Sequence, residues 1–255
     1  VRRSLSLVLP VFNGARVLEA RLAEVRAWLA AEPRRTELIV VDDGSTDATP
    51  EILRGVPGAL RLDRNRGKGH AVRAGLAAAT GDYRVFLDAD LALPAENAGA
   101  VVAALDAGAD VAIGSRAHAR SRVEAAPDAT WDLAVRHGAG RVFNLFARAC
   151  AVPGIRDTQA GVKGLTAAAT RRLLPRCAVD RFAFDVELLF HARRLGLAVA
   201  EVPVRMVWRR GESGLRLGRD GARMAADVLL FRLRALDLGV RRRHDAPVAE
   251  ERGVT

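Results

Sequence analysis

The chain contains only two cysteines, Cys150 and Cys177, far apart, with no Cys-X-X-Cys pair and no histidine at ligand spacing. A disulfide framework and a cysteine-based zinc site are thereby excluded, and two buried, reduced thiols are expected. No run of about 18 apolar residues occurs, so no transmembrane helix is encoded. The longest apolar stretches, such as Leu5 to Phe12, are strand-length. Val1-Arg2-Arg3 leads straight into that first strand, which leaves no room for a signal peptide and, with the reduced thiols, points to a cytoplasmic protein. Lysine is nearly missing: of 40 basic residues only Lys68 and Lys163 are not arginine, and Gln159 is the single glutamine. No Gly-X-Gly-X-X-Gly follows the first strand, which argues against a dinucleotide-binding Rossmann enzyme. No Ser or Thr follows Lys68, so the glycine-rich stretch around it is not a Walker A loop. The five histidines (His70, His118, His137, His191 and His244) show no metal-ligand spacing.

What is present describes a globular α/β chain. The 255 residues suit one compact unit, half are apolar and 27% are charged. The net charge of +10 by itself favours anionic partners: nucleotides, phosphates, an acidic membrane surface or nucleic acid. Strand-like runs at Leu5–Phe12, Glu37–Val41, Leu60–Leu62, Tyr83–Leu87 and Val111–Ile113 alternate with helical periodicity at Ala15–Ala31, Asp47–Arg54, Gly69–Ala79 and Ala95–Ala107. That alternation predicts a single, mostly parallel sheet with helices on both faces. From 117 to 131 the periodicity is lost, and a loop is expected. The second half reads as helical near 132–150, 167–174, 184–195 and 219–238, interrupted by strand-like Asp157–Lys163 and Val199–Val207.

In such sheets ligands bind beyond the carboxyl ends of the strands. Asp88 and Asp90 follow the strand Tyr83–Leu87, and a spacing of two turns both carboxylates to one side. Two such anions suit a Mg²⁺ or Mn²⁺ ion bridging to a diphosphate. Asp42-Asp43-Gly44-Ser45-Thr46-Asp47 ends another strand. One of its side chains is expected to cap the next helix, and a carboxylate at the strand end can accept hydrogen bonds from a base or ribose. Asn65-Arg66-Gly67-Lys68-Gly69 sets glycines and basic groups at a helix N-terminus, a suitable cradle for a diphosphate.

These segments, with Pro10-Val11-Phe12-Asn13 before them, stand in the order seen in inverting glycosyltransferases of the A-type fold. Gly114-Ser115-Arg116, Gly154-Ile155-Arg156-Asp157-Thr158-Gln159-Ala160-Gly161-Val162-Lys163 and Arg181-Phe182-Ala183-Phe184-Asp185-Val186-Glu187 resemble the dolichyl-phosphate β-glucosyltransferases. The polyprenyl-phosphate mannosyl- and glucosyltransferases are similar, less closely. The resemblance covers roughly residues 4–236. It implies that Pro10, Asn13, Asp42 and Asp43 contact the nucleoside, with Lys68 near the base or diphosphate. Asp88 and Asp90 would hold the metal and donor, Arg116 and Arg136 the acceptor phosphate or donor diphosphate, and Gln159 would close over the sugar. It also implies a single transferase domain over 1–240, comprising a nucleotide-sugar-binding half (1–116), an acceptor-binding half (117–218) and an amphipathic C-terminal helix (219–238). A polar tail, expected to be disordered, follows at 241–255.

Three positions depart from the family pattern: Gly14 stands where Glu is usual, Ala92 where mannosyltransferases carry Gln, and Gly211-Glu212-Ser213-Gly214 lacks a lysine. The expected reaction is in-line displacement with inversion, taking glucose from UDP-glucose, in preference to mannose from GDP-mannose, to a lipid phosphate. A neutral hydroxyl on a polysaccharide, natural product or protein is the alternative acceptor; it would require a base, for which Asp185 is the candidate. A silent nucleotide-binding scaffold is the non-enzyme alternative. The helix 219–238, with Met224, Val228, Phe231, Leu233 and Leu236 among arginines, either packs on the domain or rests on an anionic membrane. In the second case the chain would be peripheral on the inner face of the plasma membrane. Nucleic acid is not an expected partner.

Overall fold

The computed structural model describes residues 2–124, 131–207 and 217–244, with side chains described for these except 131–137, 217 and 235–244. In chain order the elements are β1 (Leu5–Val11), α1 (Ala15–Ala31), β2 (Thr36–Asp42), α2 (Thr49–Leu53), β3 (Leu60–Arg61), α3 (Lys68–Ala78), β4 (Tyr83–Leu87), α4 (Asn97–Asp106) and β5 (Val111–Ser115). Then come β6 (Arg122–Glu124), α5 (Trp131–Cys150), β7 (Val162–Thr166), α6 (Ala167–Leu173), α7 (Phe184–Arg194), β8 (Val199–Pro203), β9 (Arg205–Val207) and α8 (Leu217–His244).

Seven strands form one sheet in the order β3-β2-β1-β4-β7-β5-β8, and β6 pairs with β9 in a separate two-stranded ribbon. All pairings in the large sheet are parallel except those of β7, which runs antiparallel to both β4 and β5. The sheet is buried on both faces. Along β1, Leu5, Leu7, Leu9 and Val11 enter one core with Leu18, Leu22 and Val25 of α1, while Val8 enters the other with Val72 and Leu76 of α3. Strands covered on both sides have to be apolar at nearly every position, so these runs alternate little in the sequence.

Two regions differ from the sequence expectation. The stretch Asp157–Lys163 reads as a strand, but the ladder starts only at Val162, opposite Leu87. Ahead of it the polar side chains hold a turn instead: Asp157 serves Arg116, and the Thr158 backbone N–H and hydroxyl both donate to Asn144 Oδ1 at 3.0 Å. Within the segment expected to be a loop, Arg122–Glu124 forms a short strand in register with Arg205–Val207. The tail beyond 244 and Gly211-Glu212-Ser213-Gly214 lie outside the described residues. Cys150 and Cys177 are both free, the second buried and the first partly so. Among the described residues no helix is long and apolar enough to cross a membrane.

Candidate active site

The carboxyl ends of β1, β2 and β4 open on a cavity of about 730 Å³, lined among others by Pro10, Phe12, Asp43, Lys68, Asp88, Asp90, Arg116, Gln159, Arg181 and Asp185. Residues from both halves of the sequence meet there because β7, carrying the turn before it, is inserted next to β4.

The first wall is a pair of interlocked loops. Asp43, just beyond β2, accepts hydrogen bonds from Asn65 Nδ2 (3.0 Å) and from the backbone N–H groups of Arg66 (3.1 Å) and Gly67 (2.7 Å). Burial pushes its carboxyl above the ordinary value, and the two backbone donors only partly offset this. Gly67 sits at φ +117°, and a Cβ there would meet the Asp180 carbonyl oxygen at 2.7 Å, so glycine is required where the loop turns into α3.

Two expected nucleoside contacts, Asp42 and Asn13, are engaged in the turn after β2. Asp42 is 1% exposed and does not line the cavity. Its Oδ1 accepts from the Ser45 N–H at 2.8 Å, and its Oδ2 lies 3.6 Å from Arg61 Nε. Asn13 takes a left-handed conformation (φ +49°); its backbone N–H donates to Ser45 Oγ and its Oδ1 accepts from the Thr46 N–H at 2.9 Å. Both side chains hold the 42–46 turn against the end of β1, a local use that competes with ligand contact.

The floor is a chain of alternating charges. Lys68 Nζ lies 2.8 Å from Asp88 Oδ1 and 2.9 Å from Asp185 Oδ2. The other Asp185 oxygen accepts from Lys163 Nζ at 2.8 Å, and Lys163 also donates to the Ala160 carbonyl at 2.7 Å. Both ammonium groups lie over the Phe86 ring, 6.0 Å and 5.8 Å from its centroid. Burial alone would raise the Asp185 carboxyl, but the two lysines hold it below the usual carboxylate range. Burial would likewise lower Lys68, yet Asp185 and Asp88 hold it above the ordinary lysine value. Asp185 was the candidate base for a hydroxyl acceptor. A carboxylate buried between two ammonium groups and stabilised as the anion is a poor proton acceptor, so the geometry speaks against that role. Glu187, two residues on, accepts from the Ala178 and Val179 N–H groups and braces that loop.

The far wall carries Arg116 at the end of β5. Its backbone N–H and Nε donate to Asp157 Oδ2 (2.9 and 2.7 Å), and its Nη2 donates to Oδ1 (2.9 Å). Burial would raise Asp157, but this guanidinium keeps it below its ordinary value. Two further N–H bonds, from Arg156 and Asp157 to Glu201 Oε1, fix the turn that presents Gln159 to the cavity. The side chain of Arg136, in α5, lies outside the described residues.

Asp88 and Asp90 occupy one tight turn after β4, closed by Leu91 at φ +45° and by the Ala92 N–H donating to Asp90 Oδ1 at 3.0 Å. Among the described residues no group of three or more His, Cys, Asp or Glu side chains could hold a metal. Two hard carboxylates at a cavity rim nonetheless fit the way Mg²⁺ is usually bound, through one or two carboxylates with substrate phosphates and water completing the shell. Sequence reasoning missed Phe12, Arg181, Phe182, Arg219 and Arg223, which also line the cavity. Arg181 stood in a motif of the resemblance without a role of its own, and Arg223 carried no signal in a chain whose cations are nearly all arginine.

Residues 6–149 match the model of glycosyl transferase family 2. The chain is 38% identical over 241 residues to the dolichyl-phosphate beta-glucosyltransferase of Drosophila melanogaster, covering 85% of this chain and 72% of that protein. It is 31% identical to the Dictyostelium discoideum enzyme of the same name, over 92% of this chain and 76% of that one. Among solved structures, glucosyl-3-phosphoglycerate synthase from Mycobacterium tuberculosis is similar. Its complex with UDP has a TM-score of 0.63 at 24% identity, over 91% of this chain and 79% of that one. The complex with Mn²⁺, UDP-glucose and phosphoglyceric acid has a TM-score of 0.61 at 24% identity, over 91% and 79%. At that identity the likeness establishes the shared fold, the nucleotide-sugar transferase fold expected from the sequence.

Proposed function

The chain belongs to glycosyl transferase family 2 and is a glycosyltransferase, and from that premise we propose that it moves glucose from UDP-glucose to a polyprenyl or dolichyl phosphate. The relatives named above carry that activity in their names, and the structural neighbour was crystallised with UDP-glucose. The observation that carries the choice of acceptor is the state of Asp185. The carboxylate that would have to deprotonate a hydroxyl acceptor is buried between Lys68 and Lys163. A lipid phosphate is already anionic at neutral pH and needs no base, so positioning and charge stabilisation supply the catalysis.

In this reading Asp90, with Asp88, would hold Mg²⁺ or Mn²⁺, which when bound neutralises charge on the departing nucleotide. Asp43 keeps the 65–67 loop in place beside the nucleoside, and Lys68 places an ammonium group beside the donor diphosphate. Arg116, oriented by Asp157, faces the acceptor phosphate with its remaining N–H groups. Gln159 is presented toward the sugar by the turn anchored on Glu201. Exposed Leu229, Leu230 and Leu233 of α8, with Arg232 and Arg234 beside them, would rest on the membrane that carries the lipid acceptor.

The test is incubation with radiolabelled UDP-glucose or GDP-mannose, Mg²⁺ or Mn²⁺ and a short polyprenyl phosphate. A chloroform-soluble product from UDP-glucose is expected; none with either donor would sink the lipid-phosphate reading.

A further inference from the structure

Lys163 is fully buried and does not line the cavity, so it cannot touch a ligand bound there. Yet it is one of only two lysines in the chain, and both end on the same carboxylate, Asp185. A buried ammonium is costly to desolvate, and a structural role alone could be filled by an apolar side chain of similar length. An arginine, the cation used everywhere else, would bring a planar fork of five donors into a site that offers two acceptors, the Ala160 carbonyl and Asp185.

The charges explain why a cation stands there. Lys163, Asp185, Lys68 and Asp88 form one connected row of two amines and two carboxylates. Burial pulls Lys163 below the ordinary lysine value, and the Asp185 carboxylate in contact with it favours the ammonium form. Without Lys163 the row would carry a net negative charge directly beneath the cavity, and Asp185 would neutralise Lys68 alone. We propose that Lys163 is a positioning residue that binds one oxygen of Asp185 so that Lys68 keeps its positive charge available to an anionic ligand. At low effective dielectric one such charge is felt strongly across the few ångströms separating these groups. The inference rests on the reading that the cavity takes a nucleoside diphosphate.

The experiment measures UDP binding by isothermal titration calorimetry, in EDTA and again with Mn²⁺, for the wild type, Lys163→Met and the double variant Lys163→Met/Asp185→Asn. The single change leaves the row one unit more negative, and the dissociation constant should rise about tenfold in both buffers. The double change restores neutrality while removing both buried partners, and affinity should return to within about threefold of wild type. If Lys163 were only a structural prop, the double variant would bind no better than the single one, which overturns the proposal. Unchanged binding by a folded Lys163→Met protein overturns it equally. Should the single variant fail to fold, as judged by circular dichroism, the double variant decides alone: binding more than about threefold weaker than wild type refutes the idea. A wild type that binds no UDP in either buffer would instead refute the donor reading.

Discussion

A Cβ placed on Gly161 would lie 2.5 Å from Oδ2 of Asp88, so the residue preceding β7 sets where the first of the two carboxylates after β4 can sit. The contact is reinforced by the Asp88 N–H, which donates to the Gly161 carbonyl at 2.9 Å. Gly161→Ala is therefore expected to move the Asp88 side chain while leaving the sheet intact. Transfer activity should fall at least about tenfold, equivalent to about 1.4 kcal/mol of transition-state stabilisation, with little change in the thermal midpoint. A kinetic assay beside a circular dichroism melt checks both halves; full activity in the variant would show that Asp88 need not be fixed.

Asp90→Ala should abolish the metal-dependent part of donor binding. Measured by calorimetry, Mn²⁺ should strengthen UDP binding to the wild type and have little effect on the variant. Full metal-dependent turnover by Asp90→Ala would show that the ion is held elsewhere.

The pair Arg116–Asp157 links stability to acid. Asp157 is held below its ordinary value in the folded chain, so its contribution is complete above the unfolded carboxylate value of about 3.9 and is lost as the pH falls through the lower folded value. The stability gap between wild type and Asp157→Asn should therefore be constant near neutrality and close below about pH 4. Urea titrations from pH 7 to pH 3 read it directly; a gap that widened toward acid would contradict the assignment.

On α8, Leu229, Leu230 and Leu233 are 48%, 49% and 61% exposed. Their transfer into an apolar phase is worth about 25 cal/mol per Å² buried, and the neighbouring arginines add attraction to anionic headgroups. The protein should float with anionic liposomes at low salt, and replacing the three leucines by serine should leave it at the bottom of the gradient. Failure of the wild type to float would remove the membrane role from this helix.

How much of this was legible beforehand depended on whether a residue's use is local or distant. β1, β4 and α1 could be read directly, because apolar runs of strand length and helical spacing of Leu18, Leu22, Val25 and Leu29 report burial wherever the element packs. Asp88, Lys68 and Gln159 all line the cavity; Lys68 and Gln159 drew notice as rare residue types, and Asp88 by its place just beyond β4. The turn-holding part of Asp42 and Asn13 could not be read from spacing, because a polar side chain at a strand end serves a turn as readily as a ligand. The true start of β7 was hidden for a related reason: Asp157 and Thr158 have partners, Arg116 and Asn144, that are distant in sequence. Lys163 drew notice only as a rare residue, since its partner Asp185 lies 22 positions on.

The antiparallel strand β7 has a consequence for how the chain can be cut. It fills the gap between β4 and β5, two strands that are not paired with each other, so the sheet's middle is completed by residues 162–166. A fragment stopping at residue 149 would end before this strand is made, leaving two apolar edges facing an empty slot. Such edges invite pairing with other chains, so shortened versions should aggregate and not behave as a minimal enzyme. During synthesis the sheet likewise has to wait for its central strand, and the cavity loops after β1, β2 and β4, although earlier in the chain, can meet Gln159 and Asp185 only once those later residues are made.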